Sequence, residues 1–303
     1  MTAMHEAVPS CERGESVNGE LSEDENALLT RLARSHGLWA PGAEAVVLTR
    51  GPENTTFSVG DIIVRHSDRT REQAREVALL GALAGAMSVP IPTPLVHDLN
   101  EGIFAYRRLS GTPLLLCDER GSAPVEAGLI EVLRALRAAE PASRLPVDVF
   151  SNEKMRQDAV RHFDEIRWHL TVEQAAGVAG FLAANPPADR EDIVAQHNDL
   201  GAEHILVDDT GNLAGIIDWT DAARTDPARD IGSIYRDLGP DVAFHVSEAL
   251  DQPVTADESA RIRFFARCRW IEDVAYAVAE PVTRAAYLRN AGQSFEHTFR
   301  RSG

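Results

Sequence analysis

The spacing of apolar and polar positions changes twice along the chain. Residues 1–21 are polar and acidic, and this composition predicts a disordered tail. From Ser22 the apolar positions recur at helical spacing behind a serine with glutamate three residues later, which predicts a first helix. Between 45 and 109, short apolar runs alternate with turn residues. This region predicts an antiparallel sheet with one helix inserted at TREQAREVALLGALAG.

Beyond SGTP (110–113), a predicted hinge, the apolar spacing is mainly helical. Apolar faces at i, i+3, i+4 mark three segments: AGLIEVLRALRAAE, EKMRQDAVRHFDEIRWHL and EQAAGVAGFLA. Two strand-like stretches, HILVDDTGN and LAGIIDWTD, interrupt the helices, and the Asp-Asp-Thr-Gly-Asn sequence that joins them is typical of a hairpin turn. From Asp230 onward the pattern is helical again. The chain therefore divides into residues 22–109, rich in strands, and residues 110–303, rich in helices.

Composition and charge narrow the functional classes. The chain has 303 residues, 44% of them hydrophobic, and it contains no apolar run long enough to span a membrane. Its first residues lack the basic start and apolar stretch of a secretory signal, so we expect a cytoplasmic protein. The three cysteines, Cys11, Cys117 and Cys268, are too scattered to predict a disulfide framework or a zinc site.

The formal net charge of −17 argues against nucleic acid as a partner. It either favours a cationic small molecule or only keeps the protein soluble. Since the chain has no membrane-spanning run, we expect no membrane partner. The basic side chains are nearly all arginine, and Lys154 is the single lysine of the sequence. Any position that needs a fixed cation elsewhere must therefore be occupied by arginine.

One segment, residues 196–230, carries a pattern with a clear chemical use. It contains His197-x-Asp199, then His204 five residues after the aspartate, then Asp218 at the end of the predicted hairpin. Phosphoryl transfer needs one carboxylate beside the attacking hydroxyl and a separate carboxylate for the Mg²⁺ on the nucleotide phosphates. A catalytic loop before the first strand and an aspartate after the second strand present both groups to one place.

The segments HNDLGAEHIL, GIIDWTDA and DPARD resemble the aminoglycoside phosphotransferase family of antibiotic kinases, which includes macrolide kinases. The resemblance covers roughly residues 30–290. It implies an α+β, two-lobed, protein-kinase-like fold, with a small antiparallel-sheet lobe containing one helix and a larger, mainly helical lobe. It also implies Mg²⁺ as cofactor and ATP or GTP as phosphoryl donor.

By this resemblance, Asp199 is the catalytic base, His197 braces the catalytic loop and Asp218 is the main Mg²⁺ ligand. His204 stands where the family normally has a metal-binding asparagine. The macrolide kinases of the family resemble this sequence in having histidine at that position. An imidazole nitrogen suits Mg²⁺ less well than an amide oxygen. His204 therefore has two open roles, as a second metal ligand or as a hydrogen-bonding member of the loop.

The nucleotide is expected to bind in the first lobe. GPENTTF (51–57) resembles the family's nucleotide-positioning turn, and its polar side chains are candidates for phosphate contact: Asn54, Thr55 and Thr56. The adenine pocket is expected near 104–109, with Tyr106 and Leu109 as candidate walls.

Arg65 occupies the third-strand position where kinases place a phosphate-binding lysine. Arginine is permanently charged and binds phosphate with two donors, so this substitution keeps the role. Glu76 on the following helix is the expected ion-pair partner, because an apolar run beside it predicts a buried face. Glu72, one turn earlier, is the competing partner.

The acceptor site is expected in the second lobe. Its candidate carboxylates for a cationic acceptor are Asp221, Glu272, Asp273 and Glu280. A choline-like acceptor would instead need an aromatic cage, for which the candidates are Trp168, Trp219, Trp270 and Tyr276.

The predicted function is Mg²⁺-dependent transfer of the nucleotide γ-phosphate to a hydroxyl of a cationic small molecule, with an aminoglycoside or macrolide antibiotic favoured. The alternatives are a metabolic kinase of the same fold, acting on a sugar, an amino-alcohol or a choline-like substrate, and a nucleotide-binding homologue with weak activity. We expect a monomer.

Overall fold

The computed structural model describes residues 21–50, 54–117, 123–148, 150–250 and 253–300. The predicted tail therefore lies outside the described residues except for its last residue, and so does the first part of the predicted nucleotide-positioning turn, residues 51–53. Within the described ranges, no helix is both long and apolar enough to cross a membrane.

Five antiparallel strands form the sheet of the smaller lobe, in the order β1-β2-β3-β5-β4. The strands are β1 Ala45–Arg50, β2 Asn54–Val59, β3 Ile62–Ser67, β4 Pro94–Asp98 and β5 Ile103–Arg107. Helix α2, Thr70–Leu83, connects β3 to β4, as the helical spacing in this region predicts.

The two faces of this sheet bury different residues. Phe57 and Val64 pack with helix α1 (Glu23–His36) in one apolar cluster. Ile63 and Phe104 lie on the opposite face and join the main core together with the leucines of α2. Because side chains alternate along a strand, each residue of β2 and β3 is thereby assigned to one face.

Seven helices and five short strands make up the larger lobe in the part of the chain that the structure describes. The helices are α3 Ala123–Ala138, α4 Asn152–Ile166, α5 Val172–Leu182, α6 Ala228–Leu238, α7 Pro240–Ala249, α8 Ala256–Ala279 and α9 Ala285–Phe295. The strands are β6 Thr112–Pro113, β7 Val194–Gln196, β8 Ile205–Val207, β9 Leu213–Ile216 and β10 Ala223–Thr225. They form a three-stranded sheet, β6-β8-β9, and the pair β10-β7.

Local hydrogen bonds define the ends of these elements. The predicted first helix has a complete capping box, in which Ser22 Oγ accepts the Glu25 N–H at 3.2 Å and Glu25 Oε2 accepts the Ser22 N–H at 2.8 Å. The Asp208 carboxylate accepts the N–H groups of Thr210 and Asn212, both at 2.9 Å, which closes the predicted turn between β8 and β9. That turn directs the end of β9 back towards the start of β8.

The predicted hinge lies partly in the second lobe. Thr112 and Pro113 pair with Val207 and Leu206, so half of SGTP forms an edge strand of the three-stranded sheet. The assignment of residues up to 109 to the first lobe stays a prediction.

Helices α6 and α8 pack closely where α6 carries Gly232. A Cβ at this position would lie 2.6 Å from Phe265 Cβ and 3.0 Å from the Ala266 nitrogen. We expect Gly232→Ala to destabilise the protein by about 1–3 kcal/mol, because backbone and a packed ring cannot move aside freely. Gly180→Ala in α5 is the matched control, since nothing lies within 4 Å of its Cβ position. Denaturation midpoints of the two variants measure the difference, and equal midpoints would contradict the packing argument.

Candidate active site

The predicted catalytic loop, residues 197–204, runs between β7 and β8, and a buried carboxylate fixes its backbone. Asp230 on α6 accepts the N–H of His197 at 2.7 Å and the N–H of Asn198 at 2.8 Å. Burial raises the pKa of Asp230 to about 6, although both N–H groups act in the opposite direction. The DPARD segment thus anchors the loop through its last residue.

His197 links the loop to the following hairpin. Its Nε2 donates to the Ile217 carbonyl at 3.0 Å, and its ring packs 4.7 Å from the ring of Trp219. Burial lowers the pKa of His197 to about 4, so the ring is neutral at pH 7 and carries its proton on Nε2. His197 is completely buried, and its contacts are those of a brace rather than of a group that meets substrate.

His204 lies between the two aspartates that the sequence singles out. Its Nδ1 donates to the Asp199 carbonyl at 2.7 Å and lies 3.5 Å from Asp199 Oδ2. Its Nε2 lies 3.7 Å from Asp218 Oδ2. Burial opposes protonation of this ring, but the charges of Asp199 and Asp218 outweigh it and raise the pKa of His204. Both carboxylates therefore lie within 4 Å of the same imidazole.

Two residues of the site adopt left-handed backbone conformations. Asn198 has φ of 69° and Asp218 has φ of 61°. Asparagine and aspartate enter this region more easily than other residues with a Cβ, because their short polar side chains bond locally. Such conformations are typical of positions where the surrounding structure forces a side chain towards a ligand.

Arg65 extends from β3 to the same place. Its Nη1 donates to Glu76 Oε1 at 2.7 Å, and its Nη2 donates to Thr220 Oγ1 at 2.6 Å and lies 3.6 Å from Asp218 Oδ1. Glu72, the competing partner, is instead paired with Arg75 at 3.4 Å. Arg65 is only 6% exposed, because it lies within the five-stranded sheet and beside α2.

The predicted nucleotide-contacting residues divide between the two faces of the sheet. Asn54 and Thr56 share the face of Arg65, which pairs with Thr56 across the strands. Asn54 also lines a small pocket with Arg65 and Thr220. Thr55 alternates to the face of Phe57, away from Arg65, because residues 54–59 form a strand and not the predicted turn.

The two predicted walls of the adenine pocket lie at the junction of the lobes. Tyr106 on β5 is 9% exposed and packs 5.1 Å from the ring of Phe104. Leu109 crosses to the larger lobe, where its Cδ1 would lie 2.9 Å from a Cβ placed on Gly215. A glycine on β9 thus permits the connecting segment to lie directly on the hairpin that ends at Asp218.

A cleft of about 540 Å³ opens beside Asp199. Two of the four predicted acceptor carboxylates, Asp221 and Glu272, line it. Asp273 does not, because it is buried in an ion pair with Arg236 at 2.8 Å. Glu280 is also outside the lining, at the end of α8, where it pairs with Arg284 at 2.8 Å. The shared helix face that the spacing of Asp273 and Glu280 predicts therefore does not face the cleft.

The structure does not assemble the alternative aromatic cage. Trp219 and Trp270 are buried, and their Nε1 atoms donate to the carbonyls of Ile216 and Ala291. Trp168 is 80% exposed on the surface. Tyr276 is the one member of the four that lines the cleft, and the Arg284 guanidinium lies 3.7 Å from its ring centroid.

Three features of the site were not anticipated from the sequence. Thr220 bridges Arg65, Glu76 and Asp218, with its Oγ1 3.2 Å from both carboxylates. Its position two residues after Asp218 was the available signal. Asp148 and Arg269 reach the catalytic loop from 50 and 71 residues away, and no local pattern marks them.

Comparison with family models shows to which protein family the chain belongs. A family model described as a phosphotransferase enzyme family matches residues 44–265, more than two thirds of the chain. The chain belongs to this phosphotransferase family. Its matched range includes the five-stranded sheet, the loop 197–204, Asp218 and the first ten residues of α8.

One relative and several solved structures are similar to this chain over most of its length. The uncharacterized protein YcbJ of Bacillus subtilis (strain 168) is 24% identical over 266 residues, covering 76% of this chain and 83% of that protein. The GDP complex of wild-type aminoglycoside 2'-phosphotransferase-IIIa superposes with a TM-score of 0.65 at 17% identity, covering 92% of this chain and 100% of that one. Macrolide 2'-phosphotransferase MphH from Brachybacterium faecium superposes with a TM-score of 0.57 at 22% identity, covering 87% of this chain and 97% of that one. These likenesses confirm the predicted two-lobed, kinase-like α+β fold.

Proposed function

We propose that this phosphotransferase moves the γ-phosphate of ATP or GTP to a hydroxyl of a cationic small molecule, in the presence of Mg²⁺. One observation carries the proposal: Asp199 and Asp218 both lie within 4 Å of the His204 ring, and Asp199 also lines the cleft. A base and a metal-binding carboxylate this close together match the requirements of phosphoryl transfer to an alcohol.

In this proposal, Asp199 acts on the acceptor. Its carboxylate orients the attacking hydroxyl and accepts its proton as the bond to phosphorus forms. The loop backbone that carries Asp199 is fixed by Asp230, so the carboxylate meets the hydroxyl with little reorganisation. The side chain of Asp199 is 10% exposed, which leaves the carboxylate accessible from the cleft.

Arg65 and its neighbours are assigned to the nucleotide phosphates. Glu76 and Thr220 fix the Arg65 guanidinium on the sheet face that also carries Asn54. A cation held in this way neutralises phosphate charge without first losing side-chain freedom. Thr55 is left out of the assignment, because it lies on the other face.

The residues beside Asp218 fit a divalent cation. The Asp218 side chain is 22% exposed and its carboxylate is adjacent to His204 Nε2. Because Nδ1 donates to the Asp199 carbonyl, Nε2 is the ring nitrogen that would face a cation, which would have to displace any proton held there. One carboxylate, one imidazole and the nucleotide oxygens would form a donor set for Mg²⁺, and the imidazole nitrogen makes Mn²⁺ at least as suitable. The bound cation would neutralise charge that develops on the transferred phosphate. Asp199 and Glu203 also bring ligand atoms within 4.8 Å of His204.

The cleft favours an acceptor with few positive charges. Its carboxylates at Asp148 and Glu272 are each paired with an arginine, Arg229 at 2.5 Å and Arg269 at 2.9 Å. Asp158 is held by Lys154 and by Arg161. The remaining wall contains the carboxylates Glu72, Glu165 and Asp221 together with a larger set of apolar side chains: Pro146, Phe150, Met155, Ala159, Ala222, Ala223 and Ala275. A macrolide, with one amine and a large apolar ring, meets these surfaces better than a polycationic aminoglycoside.

An acceptor screen with both nucleotides tests the proposal. With Mg²⁺ and either ATP or GTP, we expect kcat/KM for macrolides to exceed that for aminoglycosides by at least about tenfold, because paired carboxylates attract extra cations weakly. Phosphate transfer is measured by product mass. Turnover on sugars, amino-alcohols or choline alone would favour a metabolic kinase. Nucleotide binding with no turnover on any acceptor would contradict the proposed reaction.

A further inference from the structure

Arg269 on α8 reaches the catalytic loop from the side of the cleft. Its Nη2 donates to the Asn198 carbonyl at 2.7 Å and lies 3.8 Å from Asp199 Oδ1. Its Nη1 donates to Glu272 Oε2 at 2.9 Å. The side chain is 19% exposed and lines the cleft, so it lies against the loop, Asp199 and the open cleft at the same time.

The contact completes a set of restraints on Asn198. The Asn198 N–H is held by Asp230, and the side-chain amide is held by Asp148 at 3.2 Å and by Arg229 at 3.2 Å. Its carbonyl is held by Arg269. Every polar group of this left-handed residue therefore has a partner, and the partners come from three different parts of the larger lobe. The carbonyl determines the direction in which the chain enters Asp199.

The positive charge of Arg269 also acts on Asp199. Asp199 has Asp218 as a neighbour across His204, and the proposed reaction brings further negative charge with the nucleotide phosphates. A guanidinium 3.8 Å from Asp199 Oδ1 offsets part of this repulsion. Glu272 holds the guanidinium through Nη1, which leaves Nη2 directed at the loop.

We propose that Arg269 is a positioning residue that holds the Asn198 carbonyl and the Asp199 carboxylate in the orientation required for transfer, and that Glu272 fixes Arg269 for this task. This inference rests on the proposed function for its effect on turnover. Glu272 then contributes to the cleft through Arg269 rather than as an independent site for acceptor charge. The planar fork of arginine is required, because two of its nitrogens bond in different directions.

Kinetics of three variants test the role. We expect Arg269→Met to lower kcat by about 50-fold or more while the nucleotide KM changes by less than about twofold, since a misdirected base affects the transition state alone. Arg269→Lys should recover part of the loss, to within about tenfold of the wild type, because it restores charge without the fork. Arg267→Met is the matched control: Arg267 also bonds a carbonyl, Thr298 O at 2.9 Å, but does not line the cleft.

The outcomes separate this inference from the proposed function. A kcat of Arg269→Met within about twofold of the wild type, or a loss equal to that of Arg267→Met, overturns the role. If Arg269→Met does not fold, a reduced kcat with unchanged nucleotide KM in Arg269→Lys supports it, and a wild-type kcat overturns it. Amide hydrogen exchange over 196–201 gives a second readout that needs no acceptor.

We expect exchange in this peptide to be about tenfold faster in Arg269→Met and unchanged in Arg267→Met, because the lost carbonyl bond loosens the loop locally. Unchanged exchange in both variants overturns the anchoring of the loop by Arg269. If the wild type transfers phosphate to no acceptor, the proposed function fails, but this exchange comparison still decides whether Arg269 holds the loop.

Discussion

Asp199→Asn is expected to lower kcat by about 10²–10³-fold while the nucleotide Kd stays within about twofold of the wild type. The amide keeps the size of the side chain but cannot accept the proton of the attacking hydroxyl. The loop itself should persist, because Asp230 holds it through the N–H groups of His197 and Asn198 and not through this carboxylate. Single-turnover kinetics and calorimetric nucleotide titration measure the two quantities.

Asp209→Asn is the control for this experiment. Asp209 is exposed in the turn between β8 and β9, so the variant makes the same chemical change on the hairpin that follows the loop of Asp199, without facing the cleft. A wild-type kcat in Asp199→Asn would remove the base from the proposed mechanism. Equal losses in both variants would show that a general change in charge, and not the position of Asp199, lowers the rate.

Asp218→Asn and Asp218→Ala are expected to remove most of the gain in nucleotide affinity that Mg²⁺ provides, by about tenfold or more. Asparagine tolerates the left-handed φ of 61°, so Asp218→Asn isolates the charge, whereas Asp218→Ala adds backbone strain. Nucleotide Kd is measured with Mg²⁺ and with a chelator. Asp209→Ala, on the preceding turn, should keep the full effect of Mg²⁺.

Two further outcomes of the Asp218 experiment are informative. Mn²⁺ should support binding in the wild type, because the imidazole of His204 is part of the proposed donor set. An unchanged ratio of affinities with and without Mg²⁺ in Asp218→Asn would show that the cation is held by other groups.

The predicted site residues that the structure brings together are those with local causes. The loop and the hairpin follow one another within 23 residues, and the Asp-Asp-Thr-Gly-Asn turn determines how they face each other. The choice of Glu76 over Glu72 also followed from local spacing, because apolar neighbours indicate which side of α2 is buried. The roles of these residues in the reaction stay predictions.

Helix α8 shows why the rest was not predictable. Its 24 residues carry charged side chains on buried and exposed sides alike, so apolar periodicity cannot tell which charges face the core. Asp273 is paired with Arg236 inside the lobe, while Glu272 next to it faces the cleft. Arg269 acquires its contacts only when α8 packs beside the catalytic loop, and sequence separation hides that contact. The same limit applies to Trp219 and Trp270, whose burial depends on tertiary packing.

Lys154 on α4 gives the molecule a practical property. It pairs with Asp158 on the next turn, and Asp158 lines the cleft beside Asp199. Because no other side chain of the sequence carries a primary amine, an amine-reactive fluorophore modifies one side chain in 303 residues, besides any terminal amine. The dye is thereby attached beside the cleft without mutagenesis, and we expect its emission to change when a ligand enters or leaves.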